Sequence, residues 1–341
     1  MHRIIFFGTS EFAIPSLRAL MQDGRFEIAG IVTQPDRPVG RHAVLTPPPV
    51  KSFVIPAKAG IQIFQPEKLK DENFKAWITE VGPTCDAFVV VSYGKILPQW
   101  LLDLPRQGII NVHGSLLPRW RGASPIQAAI AAGDTLSGVT IMQIDAEMDH
   151  GPLLAQAEEK ILDTDTGGAL HDRLADLGGR ILPDVLADYL DGRIEAQEQD
   201  HTIATSCKIL SRDDGKLDFD KTAQEVERLI RAYDPWPGTW MEFDGKRLKI
   251  ITARLGADDT EKKPSERFVR NDLPCIACAD GTVIEIQKLQ PESKPAMDGA
   301  AFLRGNKNWT RCHCEEQQRR KVASNATEQS PKARDPGSRP G

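Results

Sequence analysis

Short runs rich in β-branched and aromatic residues recur through the first third of the chain: RIIFFG (3–8), IAGIVT (28–33), DAFVVV (86–91) and GIINV (108–112). Helical stretches separate them, Phe12 to Met21 and Glu67 to Thr79 among them. Such alternation leaves little choice of fold. It builds βαβ units, hence an α/β domain whose mainly parallel sheet is covered by helices on both faces, with ligands at the carboxyl ends of the strands. His113 is expected at one such end.

Further along, Ser124-Pro-Ile-Gln127 reads as a capping box with proline at the first helical position, opening a helix over 125–132 that Gly133 stops. A longer helix runs from about Ala169 to Leu190, with Leu170, Leu174, Leu177, Ile181, Val185 and Tyr189 on one face. After a polar stretch the pattern changes. Thr222 and Glu225 cap one more helix, which Asp234-Pro-Trp-Pro-Gly238 breaks. Two hairpin signals follow, Asp244-Gly245 and Asp280-Gly281, each between strand-like runs. With 341 residues the chain holds two domains. The expected division is a catalytic α/β domain over 1–190, a linker over 191–208, a small β-rich barrel or sandwich over 209–305 and a tail over 306–341. Residues 311–341 have almost no periodic apolar content, which predicts disorder.

The N-terminal apolar run is too short for a signal segment, and no run approaches the roughly 20 apolar residues of a membrane span. A cytoplasmic protein with no membrane partner is expected. The formal net charge of −5 argues against a surface that wraps nucleic acid throughout, but not against a local basic strip. Cysteines at 85, 207, 275, 278, 312 and 314 are too scattered for a disulfide framework. Cys275 and Cys278 with Cys312-His313-Cys314 offer zinc-type ligands at unconvincing spacing, so no metal is expected.

The chemistry concentrates in INVHGSLLPRWRGASP (110–125). Period-two spacing puts Asn111 and His113 on one side of a strand end. An amide donor beside an imidazole suits acyl or formyl transfer, the amide meeting a developing oxyanion and the histidine moving a proton. A carboxylate from the segment after strand 138–144 could orient the ring; Asp145, Glu147 and Asp149 are all candidates.

The run Asn111 to Ile126, together with GVTIM (138–142) and MDHGP (148–152), resembles the folate-dependent formyltransferases, and within them the branch that acts on charged initiator tRNA. The resemblance extends from residue 3 to about 305. It implies a Rossmann-like first domain that takes 10-formyltetrahydrofolate and an OB-like barrel that helps hold tRNA. Residue by residue, the family's catalytic Asn, His and Asp fall on Asn111, His113 and Asp149. The resemblance further implies that Asn111 and His113 stabilise the oxygen of the attacked formyl group, while Asp149 orients the ring and helps remove the amine proton. Ser92, Tyr93, Gly94, Ile96, Leu97 and Pro98, with Ser115, Leu116, Leu117 and Pro118, match segments that line the folate pocket. The turn GTSEF (8–12) is no GxGxxG, so a nicotinamide cofactor is not implied.

The acceptor implied is the α-amine of methionine on initiator methionyl-tRNA, with the chain expected to act as a monomer. Residues 33–51 resemble the basic loop that enters the acceptor end; Arg37 and Arg41 would contact the tRNA, as would Lys208. The chain departs from the family at His42, Ala43 and Val44, where further lysines are usual, and at 52–60, where Pro56 stands in place of a helix residue. Rival readings are a UDP-amino sugar or glycinamide ribonucleotide as acceptor, and a non-catalytic RNA-binding protein.

Overall fold

The computed structural model describes residues 1–40, 42–57, 60–257 and 260–310. They divide into two units, Met1–Asp214 with Arg231–Pro237, and Gly215–Ile230 with the residues from Gly238 onward.

The first unit opens with β1 (His2–Gly8), α1 (Ala13–Gln22) and β2 (Phe26–Val32), then the hairpin β3 (Arg37–Val39) and β4 (Val44–Thr46). There follow α2 (Pro49–Ala57), β5 (Ile63–Phe64), α3 (Glu72–Val81), β6 (Ala87–Val91), α4 (Gln99–Leu102) and β7 (Ile109–His113). The unit continues through β8 (Arg121–Gly122), α5 (Pro125–Ala132), β9 (Leu136–Gln143), β10 (Leu153–Lys160), α6 (Gly167–Leu190) and β11 (Ser206–Cys207). Its main sheet has the order β10-β9-β7-β6-β1-β2-β5. Strands β5, β2, β1, β6 and β7 are parallel; β9 runs antiparallel to β7, and β10 antiparallel to β9.

Alternation along β1 explains the two cores. Ile4 and Phe6 pack into one cluster with Leu17 of α1, Val112 of β7 and Leu174 of α6, while Ile5 and Phe7 pack into another with Phe74, Phe88 and Leu101. With both faces covered, β1 and β6 read as unbroken apolar runs. The chain leaves β1 towards β2 and later returns to its other side at β6, so the order reverses between β1 and β6. A crevice is expected there, at their carboxyl ends.

Two local readings need correction. Ser124 makes no capping bond with its side chain; its N–H donates to Cys207 Sγ at 3.4 Å, and Pro125 alone opens α5. Gly133 does end that helix, at φ +80°. Nor is 191–208 a linker. Leu153 and Gln197 exchange backbone hydrogen bonds, and β11 pairs in parallel with β8, so this polar stretch belongs to the first unit. Pro56 sits in the last turn of α2, which runs on to Ala57.

The second unit holds most of α7 (Ala223–Ala232), then β12 (Thr239–Phe243), β13 (Lys246–Leu255), β14 (Arg267–Arg270), β15 (Leu273–Ala277), β16 (Val283–Pro291), β17 (Met297–Asp298) and α8 (Gly299–Gly305). Its antiparallel sheet has the order β12-β13-β16-β15-β14, with β17 on β16. Thr222 and Glu225 bond reciprocally at the start of α7, as the capping box predicts. Asp244-Gly245 forms the expected two-residue turn, both residues at positive φ. Asn271-Asp272 forms a second such turn, which the sequence reading missed. Asp280-Gly281 is instead part of a 3-10 turn, Ala279–Gly281, in a longer connection. Cys275 and Cys278 are buried, which pushes their thiols up to about 11 and about 12, and Cys312, His313 and Cys314 lie outside the described residues.

The expected boundary at 305 falls too early. Trp309 is 1% exposed, packs edge-on against Phe302 at 5.7 Å and beside Phe243, and donates its indole N–H to the Phe268 carbonyl at 2.9 Å. A lone aromatic beyond the last periodic residue gives no pattern to read. Residues 311–341 lie outside the described residues. A chain ending at Gly305 should lose about 3 kcal/mol, the cost of truncating a buried Trp, and melt on the order of 10 °C lower. One ending at Thr310 should melt with the full chain. Equal calorimetric transitions for all three would show that Trp309 anchors nothing.

Candidate active site

Strand β7 lies next to β6 and carries half-buried Asn111 between Val90 of β6 and Met142 of β9. Two residues on, His113 is 6% exposed, with Nε2 3.0 Å from the Trp120 carbonyl oxygen and Nδ1 3.6 Å from Asp149 Oδ1. The first distance makes Nε2–H a donor to Trp120; the second is an ion-pair rather than a hydrogen-bond separation. Both ring nitrogens thus face oxygen. A ring that takes up a proton at Nδ1 lies against a carboxylate.

Of the three candidate acids, the structure brings only Asp149 to the ring. Asp145 bonds to His150 Nδ1 at 2.7 Å, and Glu147 is exposed. Asp149 stands at φ +50°, and its Oδ2 accepts the Gly122 N–H at 2.8 Å. The loop 114–124 therefore does more than turn. Ser115 Oγ donates to the Arg119 carbonyl, Arg119 and the Trp120 indole both bond to Asp134, and Trp120 N–H donates to Thr205 Oγ1 at 2.9 Å. Burial works against the charge of Asp134, but Arg119 and Trp120 hold its carboxyl below the usual range. Behind Asp149, Gln199 Nε2 donates to the carbonyls of Asp149 and Gly151, at 3.0 and 2.8 Å. Its Oε1 accepts from Arg121 at 3.1 and 2.7 Å, and Arg121 also reaches His201 Nδ1, whose ring stacks on that of His150. Gly122, Gln199, Thr205 and Cys207 were not foreseen. Three of them lie in the polar stretch read as linker, where no periodicity marks a buried residue.

Comparison with known proteins decides the family. Residues 2–186 match the formyl transferase model and 209–307 the formyl transferase C-terminal domain model. The chain is 42% identical over 305 residues to the methionyl-tRNA formyltransferase of Acidobacterium capsulatum, covering 89% of this chain and 96% of that one. With the enzyme of the same name from Pseudomonas putida the identity is 43% over 289 residues, covering 84% and 91%. The chain belongs to the methionyl-tRNA formyltransferase family. The fold also occurs in an N-formyltransferase from Helicobacter canadensis complexed with folinic acid and dTDP-3-aminofucose (TM-score 0.62, 17% identity, 85% of this chain and 100% of that one). HypX from Aquifex aeolicus in complex with tetrahydrofolic acid shares it too (TM-score 0.58, 15% identity, 90% and 47%).

The residues expected from the sequence as folate contacts divide by exposure. Ser92, at φ +48°, accepts from Ser10 Oγ at 2.7 Å; Gly94 is exposed, and Ile96 is 83% exposed. These can meet a ligand directly. The Tyr93 ring instead lies edge-on to Phe7 in the core, and burial pushes its hydroxyl well up. Its carbonyl accepts from Thr9 and Gln34. Leu97 packs on the same core and Pro98 is half-buried. Ser115 and Leu117 are buried, with Leu116 and Pro118 half-buried, and Thr140 Oγ1 ties the Ser115 carbonyl to the Leu117 N–H. Arg37 stands exposed on β3, paired with Glu67 at 2.8 Å. Val39, Val44 and Leu45 of the same hairpin are exposed, and Arg41 lies outside the described residues. Lys208 is exposed and pairs with Asp214.

Proposed function

We propose that this chain transfers the formyl group of 10-formyltetrahydrofolate to the α-amine of methionine on initiator methionyl-tRNA, acting as a cytoplasmic monomer. The observation that carries the reading is the Asn111–His113–Asp149 cluster at the end of β7, in a chain so close to methionyl-tRNA formyltransferases. Among the described residues no helix is long and apolar enough to cross a membrane.

The folate supplies an activated formyl carbon. A flat, amphipathic co-substrate fits the residues Ser10, Ser92, Gly94 and Ile96 that follow the strand ends, which offer hydroxyls, exposed backbone and exposed apolar surface together. Two proteins of the same fold are complexed with folates, which supports a folate co-substrate. Asn111 donates an amide N–H to the formyl oxygen as the amine attacks and negative charge gathers there. The His113–Asp149 pair takes the amine proton, and the resulting imidazolium, held against Asp149, adds positive charge beside that oxygen; as the new amide forms, the bond from the formyl carbon to N10 breaks and the imidazolium returns its proton to N10, which leaves as tetrahydrofolate.

The amino-sugar alternative rests on a fold shared at 17% identity, so the acceptor is what the experiment must settle. Radiolabelled formyl-folate offered with charged initiator tRNA and with UDP-amino sugar should label only the tRNA; labelled sugar would overturn the reading. Arg41→Ala should raise KM for the charged tRNA and flatten its salt dependence, with KM for folate unchanged. Unaltered kinetics on tRNA at two salt concentrations would leave the β3–β4 hairpin without a part in binding.

A further inference from the structure

We infer that Gln199 and Arg121 form a clamp that positions Asp149 for the reaction. The inference rests on the assignment of Asp149 given above, and makes neither clamp residue a catalytic one.

Asp149 is a non-glycine residue held at φ +50°, a conformation that costs free energy unless its surroundings enforce it. The enforcement comes from one side chain. Gln199 is 5% exposed and uses every polar atom of its amide: the two hydrogens of Nε2 go to the carbonyls on either side of His150, those of Asp149 and Gly151. Oε1 receives two N–H groups of Arg121. A buried amide satisfied on all sides in this way fixes what it touches.

Arg121 closes the circuit. It stands on β8 next to Gly122, whose N–H binds the Asp149 carboxylate at 2.8 Å. Backbone and carboxylate of Asp149 are thus tied to two adjacent residues of one strand, the first through Gln199 and the second directly. The carboxylate has one oxygen left for His113, at 3.6 Å. Rotation of the 149–151 backbone would carry that oxygen away from the ring, and misplacement by about 1 Å can cost on the order of a hundredfold in rate.

Gln199→Glu tests this with little change of shape. The carboxylate still accepts from Arg121 but turns oxygens, not hydrogens, towards the two carbonyls. Turnover should fall at least about tenfold, with KM for folate unchanged. Combined with Asp149→Asn, which should be slower still, Gln199→Glu should cost nothing further, because the carboxylate it positions is gone. Arg121→Lys, which leaves the Gln199 donors in place, should give a smaller loss that also vanishes beside Asp149→Asn, and it serves if Gln199→Glu does not fold. Multiplicative losses in either pair, or normal turnover in the folded single variants, would overturn the clamp. Normal turnover in Asp149→Asn would instead overturn the assignment beneath it.

Discussion

His113→Ala is expected to lower kcat by about a hundredfold or more while the protein melts as before, since proton transfer and oxyanion stabilisation are each worth at least about that much. Two features of the site make the effect specific. The ring is buried between the Trp120 carbonyl and Asp149, so no neighbouring side chain can take its place at the strand end. Its removal also strands the Asp149 carboxylate, which retains the Gly122 N–H but loses the group it faces. Asp149→Ala should therefore behave alike, and the double variant should be little slower than either single one. Asp145→Ala provides the control, because Asp145 is bonded to His150 and not to the catalytic ring. Steady-state turnover of the four proteins is the measurement. An inactive Asp145→Ala beside an active Asp149→Ala would show that the carboxylate has been misassigned.

What could be read in the sequence follows from what leaves a periodic trace. The apolar runs at 3–8, 86–91 and 108–112 reappear as β1, β6 and β7 within a residue or two, because strands covered on both faces must be apolar throughout. Asn111 and His113 were visible for the converse reason, being polar where that rule demands apolar residues. Asp149 was not distinguishable from Asp145 and Glu147 by chemistry alone. What selects it is a backbone at φ +50° and a donor from Gly122, neither of which spacing encodes. Gln199 left no trace at all. A buried amide in a polar, irregular segment looks like any solvated glutamine until its partners are known. Trp309 failed for a related reason, a single anchor carrying no period.

Gly122→Ala should damage both stability and turnover, although the residue contacts no substrate in the mechanism proposed. The position has φ +113°, which an L side chain rarely adopts, and an added Cβ would lie 2.2 Å from the carbonyl oxygen of Cys207. That oxygen belongs to backbone, so the conflict cannot be relieved by rotating a side chain. Either β11 must part from β8 or the Gly122 peptide must turn, and both movements bear on the N–H that holds Asp149 Oδ2. Strain at such a position costs about 1–3 kcal/mol before any displacement is counted. Loss of the hydrogen bond to the carboxylate adds a further cost of about 1.5–3 kcal/mol to the group that faces His113. The expected result is a lower melting temperature together with a fall in kcat of tenfold or more, with KM for folate little changed. Gly24→Ala is the matching control, since nothing lies within 4 Å of the Cβ it would add. Cys207→Ala should not rescue Gly122→Ala, because removing the thiol leaves the obstructing carbonyl in place. Wild-type turnover and melting in Gly122→Ala would mean that β11 shifts freely, and that the contact from β8 is not what holds Asp149 in position.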